Sequence, residues 1–236
     1  MLILALDTSS PVGSIALRDD HSVIGLLTAD VSMTHSEGLM PAVDLLFGHV
    51  RRSVEDLTAV ACISGPGSYT GLRIGIATAQ GLACARRLPC FSYTSLSVMA
   101  WALPHCAFPI CPILPARKGW LYAQLFRWRN GAPAPFTPEL YLQPAGLVPL
   151  IQEPSVLYGT GLAPHRDALA GMLGPLFLAL PPACQNPRAD LLAERAAEEL
   201  HQGGGVEPER LLPFYLGPSQ AEINWKNRRP ASDPPS

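Results

Sequence analysis

The chain has 236 residues, enough to bury a substantial core in one large domain or two smaller lobes. Hydrophobic residues make up 48% and charged residues 15%, which excludes a disordered chain. A formal net charge of −2 argues against a stand-alone nucleic-acid binder, which needs a basic face to neutralise phosphates.

Leu2–Leu6 reads as a strand, Thr8–Val12 as a turn, and Gly13–Leu17 and Ser22–Leu27 as two further strands of a meander. A helix from about His35 to Arg51 follows, with Leu39, Val43, Leu46, Phe47 and Val50 recurring on one face and Pro41 in its first turns. Val60–Ser64 is a buried strand that enters the glycine turn Ser64-Gly65-Pro66-Gly67-Ser68. A helix rich in small residues runs from Thr70 to about Arg87; Pro89–Tyr93 is another strand, and Thr94 or Ser95 caps a short helix toward Leu103.

The order then repeats. Ile113–Ala116 is a short strand, Trp120–Trp128 alternates as a strand packed on both faces, and Asn130-Gly131 is a turn. Glu139–Leu142 is a third strand, Pro144–Ile151 is helical, and Ser155–Tyr158 is a strand before a second glycine turn, Gly159-Thr160-Gly161. Helices to about Leu173 and from Pro187 to His201 complete the unit. Two successive βββ-α-β-α units predict a duplicated α/β fold of the actin-like (ASKHA, ribonuclease H-like) kind. The lobes are set at 1–103 and 104–228, with a disordered Pro/Ser-rich tail at 229–236. No uncharged run reaches bilayer length and no basic leader precedes Asp7. Six cysteines without Cys-x-x-Cys spacing read as reduced thiols. A cytoplasmic protein without a membrane partner is expected.

Glycines between a strand and a helix bring main-chain N–H groups close to whatever lies above the helix start: a phosphate, a carboxylate or a partner chain. Asp7, Thr8 and Ser9 end the first strand, so Asp7, Thr8, Ser9, Gly65 and Gly67 form a candidate phosphate loop; the alternative is a hydroxyl-rich turn bonded to its own backbone. No aspartate precedes the second glycine turn, which leaves a phosphotransferase site incomplete. His35 has no second histidine at helical spacing, and no metal site is expected. The helix after the first glycine turn carries two rows of small residues, Gly71, Gly75, Ala79, Ala83 and Ala77, Gly81, Ala85. One row suffices for a sheet; two imply a second close neighbour, either the preceding helix or another subunit.

Leu4-Ala5-Leu6-Asp7-Thr8-Ser9, His35 with Leu39-Met40-Pro41, and Gly65-Pro66-Gly67-Ser68-Tyr69-Thr70-Gly71-Leu72-Arg73-Ile74-Gly75 together resemble the TsaB (YeaZ) family. Arg117-Lys118-Gly119 with Tyr122, and Pro213-Phe214-Tyr215-Leu216 with Trp225-Lys226, are similar to its later motifs. The resemblance implies a non-catalytic subunit in the synthesis of threonylcarbamoyladenosine on tRNA. Its partners would be a TsaD-like catalytic subunit, a TsaE-like ATPase and, through the complex, tRNA. The catalytic paralogue carries a His-x-x-x-His pair shortly after the small-residue helix, where this chain reads Phe91-Ser92-Tyr93-Thr94-Ser95-Leu96-Ser97-Val98-Met99. No catalytic residue is therefore assigned, and no cofactor is required by this chain, ATP or ADP being expected only at the complex interface. The partner surface is placed on Leu39, Val43, Leu46 and Phe47 of one helix and Ile74, Thr78 and Gly81 of the next. Two rival readings are a small-molecule kinase using Asp7 and Thr8, and a homodimeric scaffold that uses the same helices on itself.

Overall fold

A computed structural model describes residues 1–30, 35–180 and 185–218, with the side chains of 35 and 36 outside that description. Strands β1 (Ile3–Asp7), β2 (Val12–Arg18), β3 (Val23–Asp30), β4 (Ala59–Gly65) and β5 (Cys90–Thr94) form one sheet in the order β3-β2-β1-β4-β5. β1 is antiparallel to β2 and parallel to β4, and every residue of β1 and β4 is buried, as expected for strands covered on both faces. β3 lies at the edge, and its residues from Leu26 onward alternate between exposed and half-buried.

One face of this sheet is covered by α1 (His35–Val50) and α2 (Tyr69–Cys84), whose apolar sides join Leu4, Leu6, Val60 and Cys62 in one cluster. α2 is capped by Ser68, whose Oγ accepts from the Gly71 N–H at 3.2 Å. Pro41 lies inside α1 and not in its first turn, so the helix ladder lacks one hydrogen bond there. The opposite face is covered by α5 (Ala189–His201), whose Ala189, Leu192, Ala193 and Ala196 meet Ile3, Ala5, Ala16 and Ala61. Arg18 on β2 pairs with Glu194 on α5 at 2.9 Å. The helix expected in the second lobe thus packs on the first sheet. The chain after it stays there: Val206 exchanges two backbone hydrogen bonds with Cys90, and Gln80 Nε2 donates to the Pro208 and Leu211 carbonyls.

The second sheet repeats the first with its outer strands broken. β6 (Ile110–Pro115) is central, parallel to β11 (Ser155–Tyr158), which is parallel to β12 (Phe177–Ala179). On the other side of β6, the expected single strand is split into β7 (Leu121–Ala123) and β8 (Phe126–Arg129). Its neighbour is split into β9 (Ala132–Pro135) and β10 (Leu140–Leu142). The break is stitched by Thr137, whose Oγ1 accepts from Leu125 N–H and whose carbonyl accepts from Gln124 Nε2, each at 3.0 Å. Asn130 and Gly131 both have positive φ, as a two-residue hairpin turn between β8 and β9 requires. Pro144–Leu150 is a 3₁₀ helix, and α4 (Arg166–Leu173) packs beside it.

Helix α3 (Ser95–Trp101) joins the halves. Leu96, Met99 and Ala100 pack with Ile110, Phe126 and Tyr158 of the second sheet, and the buried Tyr158 hydroxyl donates to the Met99 carbonyl at 3.0 Å. The duplicated 3-2-1-4-5 strand pattern is that of the actin-like fold. The tail at 229–236, and Trp225, Lys226, Arg228 and Arg229, lie outside the described residues. Replacing Tyr158 with Phe leaves a buried carbonyl without this donor; we expect urea unfolding to show a loss of about 1–2 kcal/mol with an unchanged m-value.

Candidate functional site

The glycine turn and the end of β1 are brought together, but on one another. The Thr8 Oγ1 donates to the Gly71 carbonyl at 2.7 Å, and the Ser68 N–H donates to the Ser9 carbonyl at 2.7 Å. A Cβ on Gly71 would sit 1.9 Å from the Thr8 carbonyl oxygen, and one on Gly67 would sit 2.4 Å from that of Ser9. The glycines are small because backbone lies against backbone. On the far side, the C-terminal segment closes over Gly65, with the Phe214 N–H donating to the Ser64 carbonyl at 2.7 Å. The second lobe repeats the device: Gly159 and Gly161 seat the carbonyl groups of Ile113 and Leu114 at the end of β6.

Asp7 is fully buried. Its Oδ1 accepts from the Ser9 N–H at 2.8 Å and from the Ser9 Oγ at 2.7 Å, while Oδ2 has no partner. Burial pushes the carboxyl up to about 6, against the two Ser9 bonds that pull it down. Asp7 borders a cavity of about 30 Å³ beneath α1, lined with Leu27, Leu39 and Ala42, room for one water.

The expected phosphate loop needs one correction: its Thr8 and Ser9 hydroxyls donate inside the fold. Asp7, Thr8, Ser9, Gly65 and Gly67 do meet; the Ser68 N–H is given to the Ser9 carbonyl, while Ser9 and Gly67 also border the open cleft between the lobes. Among the described residues no group of three or more His, Cys, Asp or Glu side chains converges. Between the lobes a cleft of about 310 Å³ remains, bordered by Ser10, Ser68, Arg117, Tyr122 and Thr160.

The partner surface needs a second correction. Leu39, Val43, Leu46 and Phe47 are buried in the chain's own core against the first sheet, because a single apolar stripe on α1 serves only one side and the sheet takes it. The outer side of α1 presents Met40, Pro41, Asp44, Leu45 and Gly48 instead, with Leu45 64% exposed. On α2 the two rows separate cleanly. Gly71, Gly75, Ala79 and Ala83 are buried, while Ala77, Gly81 and Ala85 face solvent with Ile74 and Thr78 half-buried beside them. Nothing lies within 4 Å of a Cβ placed on Gly48 or Gly81. The sequence signal for Leu45 and Met40 was their place opposite the core stripe.

Comparison with known proteins gives the lineage. The family model "TsaD: tRNA N6-adenosine threonylcarbamoyltransferase" matches residues 21–225. The Bacillus subtilis tRNA threonylcarbamoyladenosine biosynthesis protein TsaB is 32% identical over 95% of this chain and 98% of its own length. The Escherichia coli TsaB is 30% identical over 96% of this chain and 97% of its own. The chain belongs to the TsaB family. The solved structure of YeaZ from Pseudomonas aeruginosa, 26% identical, superposes with a TM-score of 0.77 over 91% of this chain and 99% of that one. A second Pseudomonas aeruginosa structure, of a protein described as similar to the peptidase YeaZ, gives 27% identity and 0.79 over 92% and 99%. The TsaB lineage agrees with the motifs around Asp7 and the glycine turn.

Two outcomes follow from this geometry. Gly71→Ala forces backbone from backbone, and we expect a loss of about 3 kcal/mol or more in denaturant titration. Asp7 has a folded value raised from 3.8 to about 6, so its contribution to stability is fully present below pH 3.8 and is lost as pH rises through 6. That interval amounts to about 3 kcal/mol. Asp7→Asn removes the ionisation, so its stability between pH 4 and pH 7 should fall less than that of the parent.

Proposed function

We propose that this chain serves the biosynthesis of threonylcarbamoyladenosine on tRNA as a non-catalytic subunit that docks a TsaD-like catalytic subunit. The names of its relatives and the match to the TsaD family model support a place in that modification complex. The sequence contains no His-x-x-x-His pair, which supports assigning the chemistry to the partner. In this reading the chain supplies binding surface, and tRNA is reached through the assembled complex.

The observation that carries the docking reading is the second small-residue row of α2. Ala77, Gly81 and Ala85 are exposed, no element of this chain covers them among the described residues, and Gly48 on α1 is equally open. Small residues let a partner helix approach closely with little side-chain entropy to lose, while Leu45 and Met40 offer the larger apolar anchors beside them. A helix pair from the TsaD-like subunit fits this ridge; a second copy of this chain could occupy it in the partner's absence.

Gly81→Trp tests the surface without touching the core, because open space lies beyond its Cβ. We expect an unchanged thermal midpoint and at least tenfold weaker association with the TsaD-like subunit, read by size exclusion and calorimetry. An intact heterodimer with the tryptophan in place would refute the assignment.

A further inference from the structure

A band of arginines laid on aromatic rings lies at the start of the exposed α2 row, where Arg73 precedes Ala77 by one turn, and at the interlobe cleft, which Arg117 borders. Arg73 at the solvent side of α2 lies over Tyr69, with its guanidinium carbon 4.1 Å from the ring centroid. Its Nε donates to the Tyr215 hydroxyl at 2.9 Å, and a terminal nitrogen donates to the Tyr69 hydroxyl. Tyr69 and Tyr215 are themselves stacked, 4.7 Å between centroids, and both are about two-fifths exposed. In the second lobe Arg117 lies over Trp120 at 4.6 Å, and Trp120 stacks on Tyr141 at 4.5 Å. Gly217 connects the two groups: its position abuts Tyr141 and the Tyr122 hydroxyl, two residues beyond Tyr215.

The charges in this band are unspent. Among the described residues no carboxylate pairs with Arg73, Arg117 or the neighbouring exposed Lys118, and Arg117 makes no side-chain hydrogen bond. Elsewhere among the described residues Arg18, Arg127, Arg188 and Arg195 hold a carboxylate while Arg51, Arg52, Arg86, Arg87, Arg129, Arg166 and Arg210 do not, so it is the close ring-backed placement, not the missing carboxylate, that sets the band apart. Holding a guanidinium over a ring restrains it at little entropic cost; Arg117 keeps all of its N–H groups for phosphate oxygens, and Arg73 those not given to Tyr69 and Tyr215. The rings on which the arginines lie are already covered on that face, so the band offers cations and not free stacking platforms.

We propose that Arg73, Arg117 and Lys118 bind the phosphodiester backbone of the tRNA substrate, so that this subunit itself contacts RNA. The inference rests on the tRNA-modification reading above and adds a direct RNA contact to it. The net charge of −2 is no obstacle, because the contact needs only a local track of cations.

The test uses the heterodimer with the TsaD-like subunit and an unmodified tRNA transcript, with affinity measured across a range of salt concentrations. Assembly is checked first by size exclusion, so that failure to form the complex counts against the docking reading alone. The isolated chain is titrated in parallel and reads the band in either case. Arg117→Ala with Lys118→Ala should weaken binding by roughly three- to tenfold at 0.1 M salt. It should also flatten the slope of log affinity against log salt by about one per lost phosphate contact. Arg117→Lys keeps the charge and should retain most of the slope. Arg73→Ala should act in the same direction on both the isolated chain and the complex. Unchanged affinity and slope in variants that fold and assemble would overturn the proposal. So would displacement of the RNA by millimolar ATP, which would assign the cations to a free nucleotide.

Discussion

The structure hangs on the seating of β1 against the start of α2, where the Thr8 and Ser9 backbone lies directly on Gly67 and Gly71. Strand and helix approach so closely there that no side chain fits between them. The Thr8 hydroxyl and the Ser9 carbonyl replace the solvent that would otherwise satisfy the Gly71 carbonyl and the Ser68 N–H. This contact fixes α2 along the sheet. It thereby decides which of its two small-residue rows is buried and which is left facing outward. The same device, with Gly159 and Gly161 holding the end of β6, sets the second sheet and makes the two lobes structural repeats without a shared side-chain motif.

The consequence for function is a division of labour between the packed junction and the surface around it. A glycine turn at a strand-to-helix junction can be filled by a ligand or by the chain itself; here the chain's own backbone fills the side facing β1, and Ser9, Gly67 and Ser68 border the cleft on the other. The uncovered side of α1 and α2 carries the proposed docking surface, and Arg73, Arg117 and Lys118 the proposed phosphate contacts. The buried cysteines Cys62, Cys90 and Cys111 fit the same picture. Desolvation pushes each thiol up to about 12, so they act as small hydrophobes and not as nucleophiles.

Much of the architecture was legible in the amino-acid sequence. The buried strands Leu2–Leu6 and Val60–Ser64, the small-residue helix and the doubled strand order all follow from periodicity and from glycine placement. What stayed hidden has physical causes. An apolar stripe such as Leu39, Val43, Leu46 and Phe47 looks the same whether its partner is the chain's own sheet or another protein. Only the packed core shows which residues remain for docking. β9 alternates Ala and Pro, and a strand whose prolines cannot donate is invisible to propensity except through its Asn130-Gly131 turn. The Arg73–Tyr69–Tyr215 group spans 146 positions of sequence between its ends, and nothing local to either end announces the other.

The return of α5 to the first sheet has a bearing on how the molecule can be divided. Cutting the gene at the sequence boundary between halves would strip Ile3, Ala5, Ala16 and Ala61 of the α5 layer above them. The amino-terminal piece would then expose a flat greasy plane to water and seek cover in its own copies. The two halves are structural echoes of each other, but the first is not a separable module, and the polypeptide must be made through α5 before its beginning is finished.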